Sequence, residues 1–157
     1  MSKNSDKIDK LKRFGEAFRS QELMTKLGVH FETSTRRRTI KGKDIEGHTF
    51  KPYSKQYAKK RRKLGEPTSP VNLRIDHRGG MLEKVDHAVA RDLKSVEGFI
   101  NDSDKERIGF YHAVSGAGKG RVIRKWWGMS EDDQDAGTDI LKEEANEKLI
   151  KILDLNP

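Results

Sequence analysis

Between Arg36 and Lys63 the chain carries twelve lysines and arginines against two carboxylates, a local charge of +10 in a protein whose total is +8. Cations at that density neutralise the phosphates of a nucleic acid or meet a complementary acidic protein surface. The side chains that would do so are Arg36, Arg37, Arg38, Lys41 and Lys43 in the first half of the segment, and Lys59, Lys60, Arg61 and Arg62 in the second. The matching acid lies in the same chain, because residues 128–157 hold nine carboxylates against three lysines. Two such faces can meet between copies of a homo-oligomer. The plain alternative is a solvated basic loop and helix face.

A second group of residues with binding chemistry is RKWWGMSEDD, Arg124 to Asp133, which contains both tryptophans of the chain. Arg124 and Lys125 precede the aromatic pair, and Gly128 follows it as a permissive backbone joint. Ser130 and Asp133 make the Ser-x-x-Asp pattern that opens a helix. Adjacent side chains of a strand point to opposite faces. One tryptophan then enters the core and the other faces outward or toward a neighbour, and Trp beside Arg is the composition of a binding hot spot. Arg124, Lys125, Trp126 and Trp127 are therefore the candidate partner-binding residues. Base stacking is the competing use, for which Tyr53, Tyr57 and an aromatic content of 7% make a thin platform.

Other chemistry fails on spacing. SGAGKG, Ser115 to Gly120, invites a phosphate-loop reading, but Ala113 stands where the first glycine belongs and Gly120 where Ser or Thr belongs. The five histidines, at 30, 48, 77, 87 and 112, show no i, i+4 pair or carboxylate-linked metal spacing. His112 reads as a packed, hydrogen-bonded residue. Asp132, Asp133 and Asp135 lack the ligand offsets of a calcium loop and suit the N-terminus of a helix. Without cysteine there is no disulfide, thiolate zinc site or cysteine nucleophile. The residues thus imply no catalytic group, no metal and no cofactor.

The elements that must position these groups can be read from periodicity. Ile8, Leu11, Phe14 and Phe18 share one helical face, with Ser5 as its cap. Leu23, Leu27 and Phe31 continue helically, as one bent helix or a pair, with Gly28 a weak point. Residues 35–49 read as a long basic loop, mobile or an extended hairpin. Ser54 caps a short basic helix to about Lys63, anchored by Tyr57 and Leu64. Val71 to Ile75 alternates as a short strand. Gly79 and Gly80 lead to a helical piece with Met81, Leu82 and Val85. His87–Leu93 and Ser95–Ile100 form a hairpin. Ser103 and Glu106 box a helix carrying Ile108, Phe110, Tyr111 and Val114. Arg121–Trp127 is a third strand, and the C-terminal helix over 130–155 carries Ile140, Leu141, Ala145, Leu149 and Ile152 on one stripe. The expected fold is α+β, a small, mostly antiparallel β-sheet with helices packed on one face. All of residues 1–157 fall in one domain, with 1–20 as an N-terminal helical extension.

The apolar fraction of 32% is low and the charged fraction of 37% high, which suits a modest core or a subunit stabilised by its neighbours. No run approaches the roughly 18 apolar residues of a membrane span. MSKNSDKIDK lacks the apolar region of a secretory signal, which points to synthesis in the cytoplasm and no membrane partner.

The order of these pieces resembles the bacteriophage virion morphogenesis family, the tail completion or head–tail joining proteins. The resemblance covers roughly residues 25–153. It rests on the glycine-containing charged loop from Gly42 to Phe50, on Pro52, Tyr53 and Ser54 opening a Lys-rich helix, and on Val71, Asn72 and Leu73. It ends in Arg124, Trp126, Trp127, Gly128 and Ser130 before the last helix. Two departures are Arg78 and Gly79 in place of a Thr-Gly turn, and Lys125 between Arg124 and the aromatic pair. Either basic residue then fills the family's position.

The resemblance implies a structural, non-enzymatic protein of the virion, assembled in the host cytoplasm. It implies a homo-oligomeric ring, commonly a hexamer, at the head–tail interface, whose partners are tail tube or terminator proteins and head connector proteins. Residues 36–63 would line the DNA channel, with non-specific DNA contact, or dock an acidic connector. The alternative reading is a nucleic-acid-binding module built on residues 36–63. A third, an enzyme such as a nuclease or peptidoglycan hydrolase, lacks a constellation to support it.

Overall fold

The computed structural model describes residues 9, 12–16, 18–73, 80–118 and 120–153. Ser5 and Ile8, expected to open a helix, lie outside the described residues. Residues 12–16 are helical, and the Phe14 and Phe18 rings meet edge to face at 4.9 Å.

Helix α1 runs Gln21–Ile40, capped by the Ser20 hydroxyl accepting from the Leu23 amide at 3.1 Å. Its buried face is Leu23, Met24, Gly28, Thr35 and Thr39. The last two are polar, so the apolar rhythm fades at Phe31 although the helix continues. That corrects the expected loop over 35–49. Arg36, Arg37 and Arg38 are helical, and the non-helical stretch begins at Lys41. It is a tight turn rather than an open loop. Asp44 accepts from the Glu46 amide at 3.0 Å and the His48 amide at 2.8 Å, a Lys43–Thr49 bridge closes it, and buried Phe50 returns its amide to Gly42 at 2.8 Å.

Helix α2, Lys55–Lys63, starts at Ser54, whose hydroxyl accepts from the Tyr57 amide. Its expected anchors differ. Leu64 is 55% exposed, and Arg61, 3% exposed, is the residue that holds the helix down. The short strand expected at Val71 is absent over its described part. Val71, Asn72 and Leu73 are all buried, with no outward face, and Leu73 has φ 49°, outside the β region. Arg74 to Gly79, including the divergent turn, lie outside the described residues.

A 3₁₀ turn at Met81–Lys84 leads into β1, Val85–Val89, paired antiparallel with β2, Val96–Ile100, in the register Val85↔Ile100 to Val89↔Val96. The hairpin was legible, but its first strand starts two residues and ends four residues before the expected His87–Leu93. Helix α1 crosses it closely. A Cβ on Gly28 would sit 2.0 Å from the His87 ring, and one on Gly98 would sit 2.0 Å from the Phe31 ring. Gly28 is thus a contact requirement, not a weak point of the helix.

Helix α3, Ser103–Phe110, is capped by Asp102 rather than by Ser103, because the Asp102 carboxylate accepts from both Asp104 and Lys105 amides at 3.0 Å. It runs into a π turn, Tyr111–Ser115. The expected third strand is not one, and among the described residues the sheet is two-stranded. Positive φ at Gly116, Gly118 and Arg121 folds the loop back on itself, with an Ala117–Val122 bridge. The chain then runs along the π turn, Arg124 giving its amide to the His112 carbonyl at 2.7 Å.

Helix α4, Glu131–Leu153, opens as the Ser-x-x-Asp pattern requires. The Ser130 hydroxyl accepts from the Asp133 amide at 3.2 Å, and the Asp133 carboxylate accepts from the Ser130 amide at 2.9 Å. It packs on α1. The architecture is α+β, a small antiparallel sheet with helices on it. Its core is Phe50, Val71, Leu73, Met81, Leu82, Val85 and Trp126.

Candidate functional site

The basic segment does not form one surface. Successive residues of a helix turn by about 100°, so Arg36, Arg37 and Arg38 diverge. Arg36 donates from Nε to the Leu82 carbonyl at 2.9 Å, reaches the Val85 carbonyl, and pairs with Glu32 at 3.1 Å. Arg38 pairs with Asp133 and donates to the carbonyls of Trp126 at 3.1 Å and Gly128 at 2.6 Å. Burial lowers its pKa against the opposing pull of Asp133. Arg61 donates to the Pro67 carbonyl at 3.0 Å, pairs with Glu66 at 3.3 Å, and lies over the Tyr53 ring at 5.0 Å. These three arginines hold the fold together. Arg37, Lys41, Lys43, Lys59, Lys60 and Arg62 remain exposed, with Lys43 bonded to the Thr49 hydroxyl at 3.1 Å.

The Arg-Lys-Trp-Trp run divides in the same way. Trp126 is 1% exposed, and its indole N–H donates to the Gly109 carbonyl at 3.2 Å. Trp127 is half-buried, edge to face with Trp126 at 5.1 Å and with Phe31 at 5.4 Å. Neither tryptophan points fully outward as expected. Burial alternates from exposed Ile123 to buried Trp126, but Trp127 breaks the alternation by packing on Phe31 and is only partly exposed. Lys125 is exposed and paired with Glu46, which lowers the Glu46 pKa and raises that of Lys125. Arg124 is 6% exposed.

Arg124 opens onto a cleft of about 770 Å³ between α2 and the glycine loop. Tyr53, Tyr57 and Lys60 line it from one segment, Ala117, Gly118, Gly120 and Val122 from the other, with buried Leu73, half-buried His112 and buried Arg124 between. The Arg124 guanidinium donates from Nη2 to the Lys51 carbonyl at 3.0 Å and lies 5.7 Å from the Tyr53 ring centre. Its Nε has no hydrogen-bond partner, and no carboxylate among the described residues lies within ion-pairing distance. Burial lowers its pKa, opposed only by Tyr53 and Tyr57. His112 sits beside it with Nδ1 buried and unpartnered, so it is packed but not hydrogen-bonded there as expected. Its pKa falls to about 4, first by burial and then by the Arg124 charge, so the ring is neutral near pH 7. Tyr53 is pushed up by burial. The base of the cleft thus holds one permanent charge without its counter-ion.

The outer side of the same two segments is apolar. Phe110, Tyr111 and Val114 are 53%, 49% and 57% exposed, and Ile123, next to the Arg124 that bonds the His112 carbonyl, is 52% exposed. The patch was missed in sequence because Phe110, Tyr111 and Val114 read as the core face of a helix. Its inward face is instead Ile108 and Gly109.

Two histidine–carboxylate groups meet in space that share no motif. They are Glu32, Asp86 and His87 between α1 and β1, and Asp44, Glu46 and His48 in the tight turn. Each already has a cation, Arg36 on Glu32 and Lys125 on Glu46, which disfavours a metal ion there. Among the described residues no helix is long and apolar enough to cross a membrane. Compared with protein-family models, with curated proteins and with solved structures, the chain gives no match.

Proposed function

We propose that this chain is a structural subunit of bacteriophage virion assembly, joining tail to head as a member of a ring, and that it is not an enzyme. The observation that carries the reading is the exposed apolar patch of Phe110, Tyr111, Val114 and Ile123 beside the cleft. Contiguous apolar surface of this kind marks a protein–protein contact. The ordered resemblance to tail completion proteins supplies the kind of contact. A head-to-tail ring uses two different patches of each subunit. The acidic outer face of α4, with Glu131, Asp132, Asp135 and Asp139 exposed, would suit the exposed lysines of α2 on the next copy. Virion location, tail tube or terminator partners and head connector partners follow from the same reading.

The test is co-sedimentation of the purified chain with isolated tails and with head connectors. Joining predicts that the chain travels with one or both, and that Phe110→Asp with Val114→Asp abolishes this while the circular dichroism stays unchanged. A chain that sediments alone in every mixture ends the proposal.

A second reading has its own observation. Lys59, Lys60 and Arg62 are exposed and without an ion-pair partner among the described residues, along one short helix. A nucleic-acid module built on them predicts affinity that falls with salt, with a slope near 0.9 per phosphate contacted. Neutralising these three residues would flatten it. Arg61 is not part of that test, since it holds α2 to Pro67. No binding to duplex or single strands at low salt removes this reading.

A further inference from the structure

We infer that the cleft between α2 and the glycine loop is a docking groove for an acidic peptide segment of a partner protein, a Glu or Asp carboxylate seated on Arg124 with apolar side chains against Tyr53, Tyr57 and Val122. The argument begins with charge. Three arginines, Arg38, Arg61 and Arg124, are nine-tenths or more buried, and Arg36 is partly buried. Arg36 has Glu32, Arg38 has Asp133 and Arg61 has Glu66. Arg124 is 6% exposed and has one carbonyl, Lys51, and two tyrosine rings nearby. A guanidinium that is always charged and has lost most of its water needs an anion to offset the loss. Its planar donor edge matches a carboxylate, and while the Nε atoms of Arg38 and Arg124 both lack an acceptor, only Arg124 also lacks a counter-ion among the described residues.

Two further observations choose the occupant. The groove walls are mainly apolar, with Leu73 at the base, so the anion must arrive on something that also offers apolar side chains. The groove and the exposed patch are also built from the same two segments. His112 and Val122 line the groove, while Tyr111, Val114 and Ile123 of the same two segments are exposed. A polypeptide offers both a carboxylate for Arg124 and apolar side chains for such surface. A nucleic-acid strand would use the cations and leave the patch bare. Neutral His112 adds no charge at the base, so Arg124 stands there as the single cation. Lys60 at the rim supplies attraction at longer range.

The inference rests on the assembly reading only for the nature of the partner, since the unmatched charge of Arg124 stands without it. The test needs no virion component. The full chain is immobilised and offered two pools of short randomised peptides, alike except that the central residue is Glu in one and Gln in the other. A short oligodeoxythymidylate is the competitor. We expect the Glu pool to be retained at least about tenfold over the Gln pool, with Leu, Phe or Ile enriched beside the Glu. Retention is expected to be lost in Arg124→Met. It is also expected to fall in Tyr57→Ala and Lys60→Gln, which alter only the rim and keep the test valid should Arg124→Met fail to fold. Equal retention of the pools, retention of neither, indifference to the rim variants, or displacement by the oligonucleotide would each overturn the inference. Success in co-sedimentation with tails alongside failure here would remove the groove and leave the joining role. The reverse result would keep the groove and remove that role.

Discussion

Two regions of this molecule bury charge, and they do it differently. Along the seam of α1 and α4, Glu144 is 6% exposed yet meets Lys26 at 2.9 Å and Lys148 at 3.0 Å, and one turn from the start of α4 Asp133 meets Arg38. His30 completes the seam at the Asp133 carbonyl, 2.7 Å away. In the cleft beside α2, Arg124 is equally buried and meets no carboxylate among the described residues. In the seam each buried ion meets an opposite charge within the chain, although the Arg38 Nε, like that of Arg124, has no hydrogen-bond partner. The cleft is complete only when something outside the chain brings the anion. Buried charge therefore marks structure in one place and a binding site in the other, and the partner decides which.

The largest effect expected is common to both regions. Trp126→Ala removes the side chain against which core and cleft base are built, costing about 4 kcal/mol in urea unfolding. Because the loss is apolar, it should be the same at low and high salt, and a strongly salt-dependent loss would break the comparison.

Next comes protonation of the cleft base. The folded pKa of His112 lies at about 4, below its ordinary value of 6.5, so the unfolded chain binds the proton more readily. Stability then rises with pH from about 4 to 6.5 and is unaffected by His112 outside that window. The full span amounts to roughly 3 kcal/mol. His112→Gln should flatten that part of the stability profile measured by chemical denaturation. An unchanged profile would place another group in control.

The seam is expected to be third. Arg38→Met leaves Asp133 without its cation, for a loss of about 2 to 3 kcal/mol, near the lower end for buried pairs because solvent reaches both partners. The Glu144 carboxyl is held below its ordinary 4.5 by its bonds to Lys26 and then Lys148. Its contribution is present above that value and fades as pH falls through the depressed one, so the protection of α4 amides, relative to their intrinsic exchange rates, should fall in acid. Exchange that is even across the chain would contradict an ionic seam. The smallest effects belong to the outer lysines, Lys59→Gln and Arg62→Gln, within about 0.5 kcal/mol in thermal unfolding.

What could be read from sequence followed the local chemistry. Ser54, and Ser130 with Asp133, were visible because a cap needs only neighbours, and the hairpin was visible because its two apolar runs sit beside one turn. The fate of RRR was not. Arg36 and Arg38 are bound by Leu82, Val85, Trp126, Gly128 and Asp133, all more than forty positions away, and the helix under them is marked by Thr35 and Thr39 rather than by apolar residues. Arg124 and the tryptophans were picked out correctly as unusual, but a strand was assumed to present them. The glycine loop made that segment a strap outside the sheet, with Arg124 and Trp126 turned inward, and the cleft lies between the strap and α2. Phe110, Tyr111 and Val114 misled for the opposite reason, since helical spacing alone does not say which face is inside.

The most direct test of the difference between the two regions is to measure the thermal unfolding midpoints of Arg38→Met and Arg124→Met side by side in the free chain. The account predicts that Arg38→Met falls well below the unaltered protein while Arg124→Met stays level or rises, because only the second removes a charge with no counter-ion. If Arg124→Met falls as far as Arg38→Met, the Arg124 guanidinium is an ordinary structural tie and the cleft is not waiting for an anion.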